Sequence, residues 1–128
     1  MKSLVIKTFL AACCFTFAPV AIAQQQLDIV QILGQFVQAN IAASRCSKPD
    51  QKTLSNFLSN FKIVSLRATE ELKKQNPGRS DEQIVEVLTQ GTKAVEKAID
   101  DAIRSNGCSD QRIQDLLKRF EMQSTLQF

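Results

Sequence analysis

The chain has 128 residues, of which 44% are hydrophobic and 23% charged, and its formal net charge is +3. This size and balance are typical of one globular domain and exclude a disordered tail, a long coiled coil or a two-domain enzyme. The sequence contains no His, so it lacks the commonest acid–base group and the commonest metal ligand, and we expect no metal and no cofactor. Without Lys2 and Lys7, which lie in a segment that we expect to be removed, 14 basic and 13 acidic side chains remain, and this balance gives no reason to expect nucleic acid as a partner.

Residues 1–23 have the three-part layout of a secretory signal peptide. A short basic start precedes the uncharged apolar run 8–19, and small residues stand at the −3 and −1 positions of a cut between Ala23 and Gln24. The apolar run is shorter than the roughly 20 residues that span a bilayer, which disfavours a transmembrane anchor. We therefore expect a periplasmic or secreted mature protein, residues 24–128, that forms a single helical domain.

A second processing site is conceivable at residues 10–13, whose Leu-Ala-Ala-Cys sequence has the residue types of a bacterial lipobox. Lipidation there would anchor the protein to a membrane through Cys13, and it is the one membrane contact that the sequence offers. Only five residues separate Lys7 from Cys13, which is very short for the apolar core of a signal peptide. We therefore favour the cut after Ala23.

Two cysteines follow the predicted cut, Cys46 and Cys108. An exported chain with an even number of cysteines usually pairs them in an oxidising compartment. A reactive thiol or a metal site is disfavoured because the chain has no His and no CxxC motif. The bridge would close a loop of 62 residues, and the chain-entropy model values such a loop at about 4 kcal/mol. We predict a structural disulfide.

Apolar residues that recur at spacings of three and four predict four helices, at about 27–44, 48–75, 81–105 and 110–123. Cys46 is expected just beyond the end of the first helix. We expect Ser47 to cap the second helix, since Ser is a favoured N-cap residue. The residues that follow agree with a helix start there: Pro49 is tolerated in a first turn, and Asp50 favours the positive end of a helix.

The third helix has the clearest local signals. Ser80 and Gln83 are placed to form a capping box at its start, and Asn106-Gly107 is a typical helix stop. Its apolar residues predict a single inward face, formed by Ile84, Val87, Leu88, Val95, Ala98, Ile99, Ala102 and Ile103.

These elements predict an all-α fold, a four-helix up-down-up-down bundle with helices of uneven length. In that topology the turn between the first two helices and the turn between the last two lie at the same end of the bundle. Cys46 belongs to one of these turns and Cys108 to the other, so the predicted disulfide joins them.

No catalytic residues are expected. The adjacent carboxylates 70–71, 81–82 and 100–101 point about 100° apart on a helix and do not face each other. Each pair has basic neighbours, as solvated surface charges usually do. A nucleophilic Ser or Cys would lack a His base, and the four isolated Gly form no phosphate-binding loop. We therefore predict a protein that is not an enzyme.

Helix lengths suggest where a partner binds. At 1.5 Å per residue the second and third helices reach about 40 Å, whereas the first reaches about 27 Å and the fourth about 20 Å. The shorter helices leave part of the longer pair uncovered, at the end away from the disulfide. The candidate groove residues are Leu66, Leu72, Ile84, Val85, Leu126 and Phe128.

Several arrangements would account for this uncovered end. The second helix could bend near Ser65 and close the structure on itself, or Leu126 and Phe128 could fold over the gap. Alternatively, an apolar groove remains open and takes a partner helix, or it becomes a homodimer interface.

In layout, the helical body with its Cys46–Cys108 bridge resembles two groups of exported proteins, the periplasmic acid-stress chaperones and the secretin pilotins. No motif matches either group residue by residue, so no site residues are carried over. The resemblance implies an adaptor or chaperone that holds an apolar segment or helix of an envelope protein. The alternative is a secreted inhibitor or immunity-type protein that binds a folded partner through its surface.

Overall fold

The computed structural model describes residues 28–128, and within them every regular element is an α-helix. The helices are α1 (Ile29–Cys46), α2 (Gln51–Gln75), α3 (Asp81–Asn106) and α4 (Gln111–Ser124). The predicted four-helix fold is confirmed. The expectations for Ala23, Gln24 and Cys13 lie outside the described residues. None of the helices in the described part is both long and apolar enough to cross a membrane.

Both ends of α1 lie two residues later than predicted, and α2 begins three residues later than predicted but ends at Gln75 as predicted; the caps explain the differences. The carboxylate of Asp28 accepts a hydrogen bond from the Val30 amide at 3.0 Å, so α1 begins at Ile29. At its other end the Ser47 amide donates to the Ala43 carbonyl at 3.0 Å, and Cys46 is therefore the last residue of α1.

The prediction that Ser47 caps α2 is wrong, because Asp50 takes that position. The Asp50 carboxylate accepts from the amides of Lys52 at 2.9 Å and Thr53 at 3.0 Å, and from the Thr53 hydroxyl at 2.7 Å. It therefore serves two backbone donors that a new helix leaves without partners. Pro49 lies in the connection before the helix and not in its first turn.

The two remaining helix junctions follow the predicted signals. The Gln83 amide donates to the Ser80 hydroxyl at 3.3 Å and the Ser80 amide donates to the Gln83 side chain at 2.9 Å, which confirms the capping box. Gly107 ends α3 with φ +77°, a conformation that favours glycine. Asp110 then caps α4 by accepting from the Arg112 amide at 2.8 Å.

The main core lies between α1, α2 and α4, which make the closest helix–helix contacts. Four phenylalanines stack at its centre, with ring centroids 5.4 Å apart for Phe36 and Phe57, 6.0 Å for Phe36 and Phe61, and 4.1 Å for Phe57 and Phe120. Such aromatic pairs add stabilisation beyond the area that they bury. The three helices therefore form the rigid part of the bundle.

The disulfide Cys46–Cys108 is present, and its Cα atoms are 5.6 Å apart. It links the end of α1 to the α3–α4 turn, as predicted. A second apolar cluster lies beside it, formed by Ile41, Ile99 and Ile113 with Cys46 packed against them. At this end of the bundle α3 is therefore held both covalently and by packing.

Away from the disulfide α3 is only loosely covered. It packs mainly against α1 and makes few contacts with α2 and α4. Of its predicted inward residues Ile84 and Ile99 are buried, but Val87 and Ala98 are exposed. The single inward face was wrong there because, among residues 28–128, α3 packs mainly against α1 and is only sparsely covered by α2 and α4.

Candidate functional site

An apolar groove of about 320 Å³ lies between α3 and the surface of α1 and α2. It is lined from α1 by Val30, Leu33, Gly34 and Val37, from α2 by Phe61, Ser65 and Thr69, and from α3 by Val87, Leu88, Gly91, Thr92 and Val95. These residues lie in the first half of α1, away from the disulfide, and in the middle of α2 and α3. This volume is at the small end of the range for ligand-binding clefts.

The groove exists because two apolar stripes are interrupted by small residues. On α3 the positions between Leu88 and Val95 that face α1 and α2 hold Gly91 and Thr92, and on α1 Gly34 stands between Val30 and Val37. Apart from its chain neighbours and the nearby backbone of its own helix, a Cβ atom placed on Gly34 or Gly91 would meet no atom within 4 Å. The missing side chains thus leave space that neighbouring helices do not fill.

The groove walls offer apolar contact and little reactive chemistry. The hydroxyl of Thr69 donates to the Ser65 carbonyl at 2.8 Å, and that of Thr92 donates to the Leu88 carbonyl at 2.9 Å. Both protons are therefore already bonded within their own helix. None of the lining residues is charged, so the surface is suited to apolar groups and not to acid–base or nucleophilic catalysis.

A second, shallower depression adjoins the groove on α3. It is lined by Val85, Leu88, Thr89, Thr92 and Lys93, and it shares Leu88 and Thr92 with the groove. Val85 is 57% exposed. The two depressions therefore form one apolar track across α3 that ends at a lysine.

Ion pairs flank this track on the side toward the disulfide. Arg45 of α1 contacts Glu96 at 2.7 Å and Asp100 at 3.0 Å. The hydrogen bond to Asp100 is the main cause that raises the pKa of Arg45, and the hydrogen bond to Glu96 adds to it. Asp101 contacts Lys97 at 2.6 Å. The hydrogen bond from Lys97 is the main cause of the lowered pKa of Asp101. The carboxylates of this face are thus largely neutralised by neighbouring cations.

The structure places the predicted groove residues of α2 and α3 in three different environments. Ile84 is buried, at 2% exposure, and cannot contact a partner. Leu72 is half-buried, whereas Leu66 is 59% exposed on the outer face of α2. Val85 alone among them contributes to the apolar track. The groove therefore lies in the predicted half of the bundle but is lined by other residues.

The C-terminal tail does not cover the groove. The side-chain amide of the buried Asn60 donates to the carbonyls of Gln123 at 2.8 Å and Leu126 at 2.9 Å, and the Arg67 guanidinium lies 5.7 Å from the Phe128 ring centroid. Asn60 and Arg67 lie about 150° around α2 from its groove-lining residues. The tail, with Leu126 and Phe128 about half exposed, covers a different face.

Sequence reasoning missed the residues that create the groove. From the sequence alone Gly34 and Gly91 are isolated glycines that belong to no motif, and Val95 is predicted to belong to the inward face of α3. The available signal was a glycine inside an apolar helical stripe. The packing of three helices decides which two glycines line the same space. A local sequence pattern does not contain that information.

No group of three His, Cys, Asp or Glu side chains that could hold a metal ion occurs within residues 28–128. Comparisons with protein-family models, with curated proteins and with solved structures find no match.

Proposed function

We propose that this chain is an exported, non-enzymatic binding protein of the cell envelope. It acts as a periplasmic adaptor or chaperone, and it holds an apolar segment or helix of an envelope protein in the groove between α1, α2 and α3. The observation that carries this proposal is the groove itself, an open apolar surface without a charged residue in its lining. Burial of apolar area is the main favourable term in such associations.

Two further observations support the proposal. Val87, at the edge of the groove, is 43% exposed, so apolar surface continues from the groove to the outside of the protein. The disulfide is typical of proteins that fold in an oxidising compartment. The signal peptide expected at residues 1–23 agrees with that compartment, and the intact mass of the exported protein would identify a start at Gln24 or a lipid at Cys13.

The test is binding of an environment-sensitive apolar dye to the native protein, compared with a variant whose groove is filled. Gly91→Leu adds a large side chain where the structure has space, and it should abolish dye binding. Gln90→Leu is the matched control, because it adds the same side chain to the exposed neighbouring position of α3. It should leave dye binding intact. Helix content of both variants is followed by circular dichroism.

The proposal fails if the native protein does not bind the dye, or if Gly91→Leu binds it as well as the control does. If the dye does not bind and the protein forms a tight complex with one folded enzyme, the alternative, an inhibitor or immunity-type protein, would be favoured.

A further inference from the structure

We infer that the groove takes two large apolar side chains, spaced one helical turn apart, from a partner segment that carries a carboxylate beside Lys93. The inference rests on the proposed function, since it specifies the chemistry of the segment that the same groove would hold.

The volume of the groove decides how much of a partner can enter. With about 320 Å³, the groove is at the lower end of the range for clefts that hold a small molecule, so it accommodates a few side chains. A whole helix, 10–12 Å across with its side chains, is too large. Two leucine side chains, or a leucine and a phenylalanine, fit, so a partner helix would lie on the surface and insert side chains.

The length of the groove agrees with two insertions. Its α3 wall runs from Val87 to Val95, which is about 12 Å, or two helical turns. Side chains four residues apart on a helix are separated by about 6 Å. Both side chains can therefore enter the same groove, and the larger of the two would occupy the space beside Gly34 and Gly91.

The charge beside the groove indicates which residues of the partner should flank the inserted side chains. Lys93 ends the apolar track and forms no ion pair with any of residues 28–128. The nearby carboxylates are already engaged, because Arg45 contacts Glu96 and Asp100, while Asp101 contacts Lys97 and Arg104. Among residues 28–128, the cation beside the groove that has no carboxylate partner is thus Lys93, and its complement is an acidic residue of the partner.

The experiment compares two alanine-rich, twenty-residue helical peptides with two leucines four residues apart. One carries aspartates on both flanks of the leucines, and the other carries lysines there. Fluorescence anisotropy should show that the native protein binds the acidic peptide about fivefold more tightly, as expected for one exposed ion pair. The difference should shrink as salt is added. Lys93→Glu should reverse the preference.

Four control variants make the result specific. Lys74→Glu changes a second exposed lysine that forms no ion pair with the described residues, and it should leave the preference for the acidic peptide unchanged. Gly91→Leu and, from the opposite wall, Gly34→Leu should prevent binding of both peptides, whereas Gln90→Leu should not.

Equal affinity of the two peptides at low salt, with both still blocked by Gly91→Leu, would overturn the inference about charge and leave the proposed function standing. If neither peptide binds but lauric acid does, and Gly91→Leu excludes it, the groove is a site for an aliphatic lipid chain and both proposals are wrong. Peptide binding that is unchanged by Gly91→Leu would place the site elsewhere and also overturn both.

Discussion

Glycine has two opposite roles in this chain. Gly34 and Gly91 lie within helices and leave open space, since a Cβ atom on either would meet nothing within 4 Å. Gly107 ends α3 with φ +77° and ψ 178°, a backbone conformation that is essentially restricted to glycine. A methyl group is therefore tolerated at the first two positions and strained at the third.

Alanine substitutions should separate these roles. Gly34→Ala and Gly91→Ala should each raise the free energy of unfolding by about 0.5–1 kcal/mol, because alanine restricts the unfolded chain and favours the helix. Gly107→Ala should lower it by about 1–3 kcal/mol. Urea denaturation monitored by circular dichroism measures all three. Destabilisation by Gly34→Ala or Gly91→Ala would show that the space around these residues is closed.

Carboxylates that cap or brace the helices should determine the acid stability of the protein. The hydrogen bond from the Arg112 side chain is the main cause that lowers the pKa of Asp110 to about 2. The main cause of the lowered pKa of Asp50 is the hydrogen bond from the Thr53 amide. The main cause of the lowered pKa of Asp101 is the hydrogen bond from Lys97. Because these folded-state pKa values lie below the unfolded value of about 3.9, their stabilisation is complete above about pH 4 and is lost as the pH falls toward 2.

We expect the urea midpoint to stay nearly constant from pH 7 to about pH 5 and to fall between about pH 4 and pH 2. Asp110→Asn keeps a capping side chain but removes its ionisation, so this variant should show a smaller fall over the same interval. A large loss of stability between pH 7 and pH 5 would contradict this account, because the chain has no His to titrate there.

At the scale of the elements, the sequence predicted the helices well because their signals are local. The capping box of Ser80 and Gln83, the stop at Gly107 and the stripes of α1 and α2 each lie within a few residues of the structure that they specify. The cap of α2 was misplaced because Ser47, Pro49 and Asp50 offered competing starts. Only the observed hydrogen bonds to Asp50 decide between them.

The exposed part of α3 could not be predicted in the same way. Periodicity shows that Val87 and Ala98 belong to an apolar face, but it does not show whether another helix covers that face. In the structure α3 packs mainly against α1, so residues that turn toward α2 stay exposed. The groove results from this incomplete packing, and its lining therefore differs from the residues that helix length alone suggested.

The whole molecule combines a compact three-helix core with a fourth helix, α3, that is buried toward both of its ends, at Ile84 and Ile99, and is less covered between them. The phenylalanine cluster stabilises α1, α2 and α4, whereas α3 depends on the disulfide and on the cluster of Ile41, Ile99 and Ile113. Such an arrangement fixes α3 toward both ends and leaves the groove open along its middle, from Val87 to Val95.

Removing the disulfide should therefore weaken the fold strongly. The double variant Cys46→Ala, Cys108→Ala should lose about 4 kcal/mol of unfolding free energy, the value expected for the entropy of a 62-residue loop. Urea denaturation of the variant and of the reduced native protein should agree. A loss below about 1 kcal/mol would show that packing alone holds the two turns together.

We propose that the groove holds an apolar segment of another protein in the cell envelope. Site-specific photo-cross-linking in cells tests it most directly, with the cross-linker at Val87 in the groove and, as a control, at Leu66 on the outer face of α2. We predict an adduct from Val87 to one apolar segment with an acidic flank, its absence from Leu66, and its loss in Gly91→Leu. No adduct from Val87, or an equal adduct from both positions that persists in Gly91→Leu, would contradict the account.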